Sequence, residues 1–247
     1  MGNESRIIGV VGSSWVGKSS LTFQLVREHH FVRISFGDLL REFVSKTLLN
    51  KSSEILTLSE LHKELLAQFE TSLIIDGQVH LSGTTVDRAA RVREEELMSI
   101  VANLDAAFFS LYEQAIIELI KKQAQHSPIV FDARDKAVER TLGAGMRPFF
   151  VCLTCPTEVR VRRYLSLIKI PASEENFAKY LAILERREHA DQVHTPSIKI
   201  QDYIHLTLNT AHFSIEEEGD LLHLAAKTYF LHQSNGEMPH KNRRNVS

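Results

Sequence analysis

Short apolar runs alternate with segments of helical periodicity along the chain. The strand-like runs cover residues 7–11, 31–34, 129–131, 149–153 and 203–208. Runs of this kind are typical of buried parallel strands. The helix-like segments cover residues 37–49, 58–69, 94–124, 174–192 and 215–231, and two more helices are expected to begin after residues 17 and 156. This alternation predicts an α/β fold in three layers, with a parallel sheet flanked by helices.

One segment interrupts the alternation. Asp76 and Gly77 separate two strand-like runs within residues 71–82, and Asp-Gly between such runs is the strongest short hairpin signal. We therefore expect a small insert in the α/β unit. Residues 234–247 carry Gly, Pro, Asn and basic residues without periodicity, which predicts a disordered tail behind one domain over residues 1–233.

Composition and charge narrow the classes of function. The chain has 247 residues, of which 43% are hydrophobic and 24% charged, so it is long enough to bury the core of one globular domain. Its net charge of -2 creates no field that favours nucleic acid or membrane, and no apolar run reaches the ~18 residues of a spanning helix. Cys152 and Cys155 alone do not form a disulfide framework. We expect a cytoplasmic monomer whose partners are small molecules.

The loop after the first strand carries the clearest chemistry. Residues 12–19 match the pattern G-x-x-x-x-G-K-[S/T] at every fixed position, between a predicted strand and a predicted helix. Backbone N–H groups and the helix N-terminus of such a loop hold phosphate, while its lysine reaches the β- and γ-phosphates and the next serine ligates Mg²⁺. The residues expected to bind ATP here are Gly12, Ser13, Ser14, Trp15, Val16, Gly17, Lys18, Ser19 and Ser20. Trp15 is unusual in such a loop, where it either stacks on adenine or covers the loop.

Two later motifs fit a phosphate-transfer site. A helix N-terminus at Gly37 with Arg41 one turn further on is expected to form an anion site facing the loop. Asp132 ends a buried strand near the loop, and a carboxylate in that position is suited to orient Mg²⁺ together with Ser19. Both motifs place chemistry where parallel strands end, which is where α/β folds bind their ligands.

Together these segments resemble the nucleoside monophosphate kinases of the P-loop NTPase superfamily, most of all the bacterial cytidylate kinases, from residue 7 to about 231. The resemblance implies a monophosphate-binding insert over about 50–125 and a helical lid over about 160–195. It also implies transfer of the γ-phosphoryl group of ATP, with Mg²⁺, to CMP or dCMP. The resemblance assigns catalytic roles to Lys18, Arg134, Arg163 and Arg187, a nucleotide contact to Arg160, and the acceptor side to Ser35, Gly37, Arg41, Asp132, Arg134, Asp135 and Asp191.

The departures from the family pattern fall on the acceptor side. Residues 105–113 lack the arginine that helps the family to read cytosine, His194 replaces the last arginine of the lid motif, and Phe36 replaces a serine. A site without its hydrogen-bonding groups discriminates less between bases. Two alternatives therefore stay open: a kinase of another monophosphate, AMP-like or non-nucleotide, and a nucleotide-binding regulatory module without transfer activity.

Overall fold

Seven strands form one sheet in the computed structural model, which describes residues 6–48, 58–81, 106–134, 136–192 and 199–234. The strands are β1 (Ile7–Gly12), β2 (Val32–Ser35), β3 (Leu73–Ile75), β4 (Gln78–His80), β5 (Ile129–Asp132), β6 (Phe149–Thr154) and β7 (Leu206–Asn209). Their order across the sheet is β3-β4-β2-β5-β1-β6-β7. Neighbouring strands are parallel except β3 and β4, which are antiparallel. The predicted α/β sheet is confirmed.

Helices cover both faces of this sheet. In the described residues they are α1 (Lys18–His29), α2 (Phe36–Phe43), α3 (Leu58–Glu70), α4 (Ala106–Ala124), α5 (Lys136–Gly143), α6 (Thr157–Leu167), α7 (Glu174–Gln192) and α8 (Ile215–Ser234). Successive strand residues point to opposite faces. Ile8 and Val10 of β1 accordingly pack in the core under α1 and α8, and Ile7 and Val11 pack in the core under α2, α3, α4 and α5.

The predicted hairpin is confirmed, and it extends the main sheet. Asp76 and Gly77 both have positive φ, 49° and 72°, as a tight hairpin turn requires. Strand β4 then pairs in parallel with β2, where Gln78 lies beside Arg33. The hairpin thus brings the end of β4 to the same edge of the sheet as the ends of the central strands.

Other elements differ from their predictions in extent. Helix α2 passes into a π-helix at Val44–Leu48 instead of continuing regularly, and the strand predicted over residues 203–208 starts only at Leu206. A 3-10 turn, Ile200–Tyr203, precedes that strand and places Ile200 in the hydrophobic core. Helix α5 was not predicted, since its eight residues form too short a pattern. Residues 94–105 and the predicted tail beyond residue 234 lie outside the described residues.

The helices also bear on the membrane question. In the part of the chain that the structure describes, none of them is both long enough and apolar enough to cross a bilayer.

Gly9, in the middle of β1, provides a test of this packing. A Cβ at this position would lie 2.6 Å from the Phe150 ring and 2.7 Å from the Phe131 ring, and both rings are fully buried. We expect Gly9→Ala to lower the free energy of unfolding by roughly 1–3 kcal/mol, because the rings must shift in a close-packed core. Urea unfolding measures this change, and Gly143→Ala, where a Cβ meets nothing within 4 Å, is the control. Equal effects of the two substitutions would contradict the packing described here.

Candidate active site

The phosphate-binding loop has the predicted context: β1 leads into it and α1 begins at its lysine. Gly12 and Gly17 have φ values of 139° and 108°, which other residues rarely adopt. The ammonium group of Lys18 donates to the carbonyl oxygens of Gly12 and Ser13, at 2.6 and 2.7 Å. The lysine therefore lies across the loop, with its charge where phosphate oxygens are expected.

Trp15 covers the loop. Its ring stacks on that of Tyr164 from α6, with centroids 4.0 Å apart and planes 8° from parallel. The guanidinium of Arg187, on α7, lies 5.8 Å from the Trp15 ring centroid. Trp15 thereby joins the loop to the two helices of the predicted lid, and its contact with adenine stays a prediction.

Arg160 ties the lid to the loop from a buried position. Its guanidinium donates to the Ser14 carbonyl oxygen at 3.0 Å and to the Thr157 hydroxyl at 2.9 Å, and it forms an ion pair with Glu188 on α7. The predicted nucleotide-contacting arginine is thus held among the loop and both lid helices.

Arg163 is anchored behind the loop. It donates to the side-chain and backbone oxygens of Thr210, and the Thr210 hydroxyl donates to the Val16 carbonyl oxygen at 3.0 Å. The buried carboxyl group of Glu218 lies nearby; burial raises its pKa to about 7, although the charge of Arg163 opposes this shift. Because the Arg163 guanidinium donates to Thr210 in this structure, no contact among the described residues shows it at the transferring phosphate. The catalytic role expected of Arg163 stays a prediction.

Asp132, the predicted metal and substrate residue, has a fully buried partner. Its Oδ2 lies 2.6 Å from the Arg33 guanidinium and 3.3 Å from the Thr22 hydroxyl, while its Oδ1 accepts a hydrogen bond from Ser35 at 2.9 Å. Arg33 has no solvent exposure and also donates to Thr22 and Gln78. Burial lowers the pKa of Arg33, but the carboxylates of Asp132 and Asp38 outweigh this effect and raise it overall. Arg33 therefore stays charged inside the protein.

The same arginine reaches the acceptor side. Arg33 donates to Asp38 at 2.7 Å, and Asp38 also forms an ion pair with Arg41. Burial raises the pKa of Asp38, yet the two arginines lower it further, so the net shift is downward. The Arg41 guanidinium lies 3.5 Å from where a Cβ on Gly37 would stand. The Arg41 side chain therefore lies beside the first turn of α2, where the expected anion site stays a prediction, and Ser35 caps this helix by accepting from the Asp38 N–H.

Strand register brings these groups to one edge of the sheet. Ser35 pairs with Asp132, and Asp132 with Val10, two residues before the loop begins. Arg134 follows β5 at this edge. Desolvation and, to a smaller extent, the charge of Arg187 both lower the pKa of Arg134. Donor-side and acceptor-side residues thus meet where the strands end.

Some residues of the site were not expected from the sequence, and some expected ones are not described. Sequence reasoning missed Arg33 and Thr22, although an arginine inside the apolar run of β2 was a visible signal. It also missed Tyr164, whose stacking partner lies far away in sequence. Asp135 lies outside the described residues, and Asp191 lies within α7 without a described side chain.

Known proteins share this sequence pattern. A match to the family described as cytidylate kinase covers residues 8–220. The chain belongs to the cytidylate kinase family. Cytidylate kinases of Bacteroides fragilis and Citrifermentans bemidjiense are each 25% identical to it, over 87% and 90% of this chain and 93% and 92% of theirs. A solved structure of a protein from Eubacterium ventriosum has a TM-score of 0.51 at 9% identity, covering 91% of this chain and 99% of that one, which shows the shared fold alone. As a family member, the chain is an ATP-dependent phosphotransferase of the nucleoside monophosphate kinase class.

Removal of the buried charge tests the network around Arg33. We expect Arg33→Met to lower the free energy of unfolding by about 3–5 kcal/mol, because it leaves Asp132 buried without its cation. Urea unfolding of the kinase measures this change. The control is Arg27→Met on α1, whose side chain is 65% exposed beside Glu28 and whose ion pair is worth below about 1 kcal/mol. A loss no larger than that of the control would show that the network does not hold the fold.

Glu218 gives a stability prediction that depends on pH. Its pKa in the folded protein, about 7, lies above the ordinary 4.5. The stability that the neutral carboxyl group gives the fold is therefore fully present below pH 4.5 and is lost as the pH rises towards about 7, where the buried group ionises. We expect Glu218→Gln, which cannot ionise, to raise the melting temperature by about 3 °C at pH 8 and by much less at pH 5. Thermal melts measure both values, with the exposed Glu216→Gln as the control. A gain that is equal at the two pH values would contradict the assignment.

Proposed function

We propose that the chain transfers the γ-phosphoryl group of Mg-ATP to CMP or dCMP. The observation that carries this proposal is the meeting, at one sheet edge, of the phosphate-binding loop with the Arg41 anion site. A phosphoryl transfer needs a donor phosphate and an acceptor phosphate held in line, with cations around the transferring phosphoryl group. Membership in the cytidylate kinase family supports the pyrimidine acceptor.

The chain's own residues divide the work by position. Lys18 and the N–H groups of the loop bind the β- and γ-phosphates, while Arg41 and the N-terminus of α2 bind the phosphate of the acceptor. Arg134 and Arg187, whose charges are close enough to interact, offset the charge that spreads over the transferring group. Arg163 and Arg160 act from behind, because they fasten the loop and the lid together.

Mg²⁺ fits the donor set at this edge. Ser19 is exposed on the first turn of α1, and Asp132 supplies a carboxylate, so both are oxygen donors of the kind that Mg²⁺ prefers. Both oxygens of Asp132 already accept hydrogen bonds from Arg33, Thr22 or Ser35, so its part is to orient water near the ion. When bound, Mg²⁺ neutralises charge on the β- and γ-phosphates.

A second acceptor is favoured by one observation. Residues 106–113 of α4 carry no arginine, and Tyr112 in that stretch donates its hydroxyl to the Phe36 carbonyl oxygen at 2.5 Å. Base recognition therefore rests on groups other than those of the family pattern, and another monophosphate is the second candidate. As part of this proposal, the family resemblance assigns Asp135 to the acceptor base and Asp191 to the acceptor ribose.

The test measures ADP release from Mg-ATP with a panel of ribo- and deoxynucleoside monophosphates. We expect turnover to be fastest with CMP or dCMP, and Lys18→Ala to lower kcat/KM by about 10²-fold or more, because a cation at the transferred phosphate is lost. The control is Lys227→Ala on the exposed face of α8.

Each other result of this panel has a definite meaning. Preference for a purine monophosphate or a non-nucleotide phosphate would replace the acceptor and keep the reaction. ATP binding without turnover of any acceptor would overturn the proposal in favour of a regulatory module.

A further inference from the structure

Helix α2 is fastened to the sheet a second time, beyond its Ser35 cap. The carboxylate of Glu42 accepts two hydrogen bonds from the end of β4: one from Nδ1 of His80 at 2.6 Å and one from the Leu81 N–H at 2.8 Å. The two side chains are 17% and 9% exposed, so little solvent competes for these bonds. Such charge-assisted bonds in a low dielectric are stronger than neutral ones.

Strand register places His80 at the functional edge. Gln78 lies beside Arg33, and His80 comes two residues later, at the level of Ser35 on the neighbouring strand. Ser35 in turn pairs with Asp132. The pair of Glu42 and His80 therefore lies at the sheet edge where donor and acceptor sides meet, and no role is yet assigned to it.

Glu42 is the chain neighbour of Arg41, at the C-terminal end of α2. The helix passes directly into the π-helix Val44–Leu48, whose wider turn changes the direction of side chains. Within the described residues the ion partner of Arg41 is Asp38, which lies on the same helix. The position of Arg41 over the sheet therefore depends on how α2 itself is held. Ser35 and Asp38 hold its beginning, and Glu42 holds its end.

We propose that Glu42 and His80 are a positioning pair that keeps Arg41 aimed at the acceptor phosphate. The inference rests on the proposed function, since it assigns Arg41 to that phosphate. Nδ1 of His80 donates to Glu42, and among the described residues Nε2 has no hydrogen-bond partner. A direct contact between Nε2 and the acceptor nucleotide is the competing role, and the experiment separates the two.

Two substitutions of equal size make the comparison. Asn and Leu both branch at the γ-carbon and both lack any atom at the place of Nε2, but only the Asn amide can donate to Glu42 as Nδ1 does. Steady-state kinetics with CMP give kcat, the KM for CMP and the KM for ATP. We expect His80→Leu to raise the KM for CMP about tenfold, as the loss of one charge-assisted hydrogen bond implies, and His80→Asn to raise it less than about threefold. We expect kcat and the KM for ATP to change less than about twofold in both.

The outcomes that overturn the inference are distinct. Equal increases in the KM for CMP with His80→Leu and His80→Asn would mean that Nε2 touches the acceptor. No increase with either substitution would mean that the pair does not position Arg41. A parallel rise in the KM for ATP would mean a general structural role. If His80→Leu does not fold, Glu42→Met against Glu42→Gln asks the same question from the helix, because Gln keeps an acceptor oxygen and Met does not.

The proposed function is tested by the wild-type chain in the same assay. Turnover of CMP by the wild type, with His80→Leu and His80→Asn behaving alike, would overturn this inference alone. A wild type that prefers another monophosphate is assayed with that acceptor and the same criteria. No turnover of any monophosphate by the wild type would overturn both.

Discussion

The Arg33 guanidinium is the group on which the geometry of the site depends. A positive charge without solvent exposure must be matched by acceptors around it, because its desolvation is otherwise far too costly. The acceptors come from α1, α2, β4 and β5, namely Thr22, Asp38, Gln78 and Asp132. Elements distant in sequence therefore have to approach the same point. Arg33 thereby links helix α1 to helix α2 through its hydrogen bonds to Thr22 and Asp38.

Such a buried network is a poor source of net stability, since apolar packing of equal volume often does as well. Its value here is orientation. Asp38 sits between Arg33 and Arg41, so the position of the buried cation determines that of the half-exposed one. Two carboxylates and two guanidinium groups balance in charge, which leaves the cluster neutral before any phosphate arrives. The side chains at the N-terminus of α2 are thus held in fixed positions, which is what electrostatic preorganisation requires of a site.

What the sequence predicted well is what depends on local spacing. The phosphate-binding loop needs its glycines and lysine at fixed intervals, and the hairpin needs positive φ at Asp76 and Gly77, so both are visible in a short window. The Arg33 to Asp132 pair joins residues 99 positions apart, and it exists only once β2 and β5 are in register. The sequence placed Asp132 at the end of its strand, and Arg33 within an apolar run was a sign of a buried ion pair, but the sequence alone did not identify which carboxylate it meets. For the same reason the stacking of Tyr164 on Trp15, which joins residues far apart in sequence, was not expected.

Helices α6 and α7, which make up the expected lid, differ in the contacts that hold them. Helix α6 is joined to the loop directly, through the stacking of Tyr164 on Trp15 and through Arg160 and the Ser14 carbonyl oxygen. Helix α7 is joined mainly to α6, by Glu188 and by a small apolar cluster separate from the two main cores. Helix α7 also contacts the loop directly, because the Arg187 guanidinium lies 5.8 Å from the Trp15 ring centroid. Trp15 therefore contacts side chains of both helices, so the conformation of the phosphate-binding loop and the position of Arg187 share one aromatic neighbour.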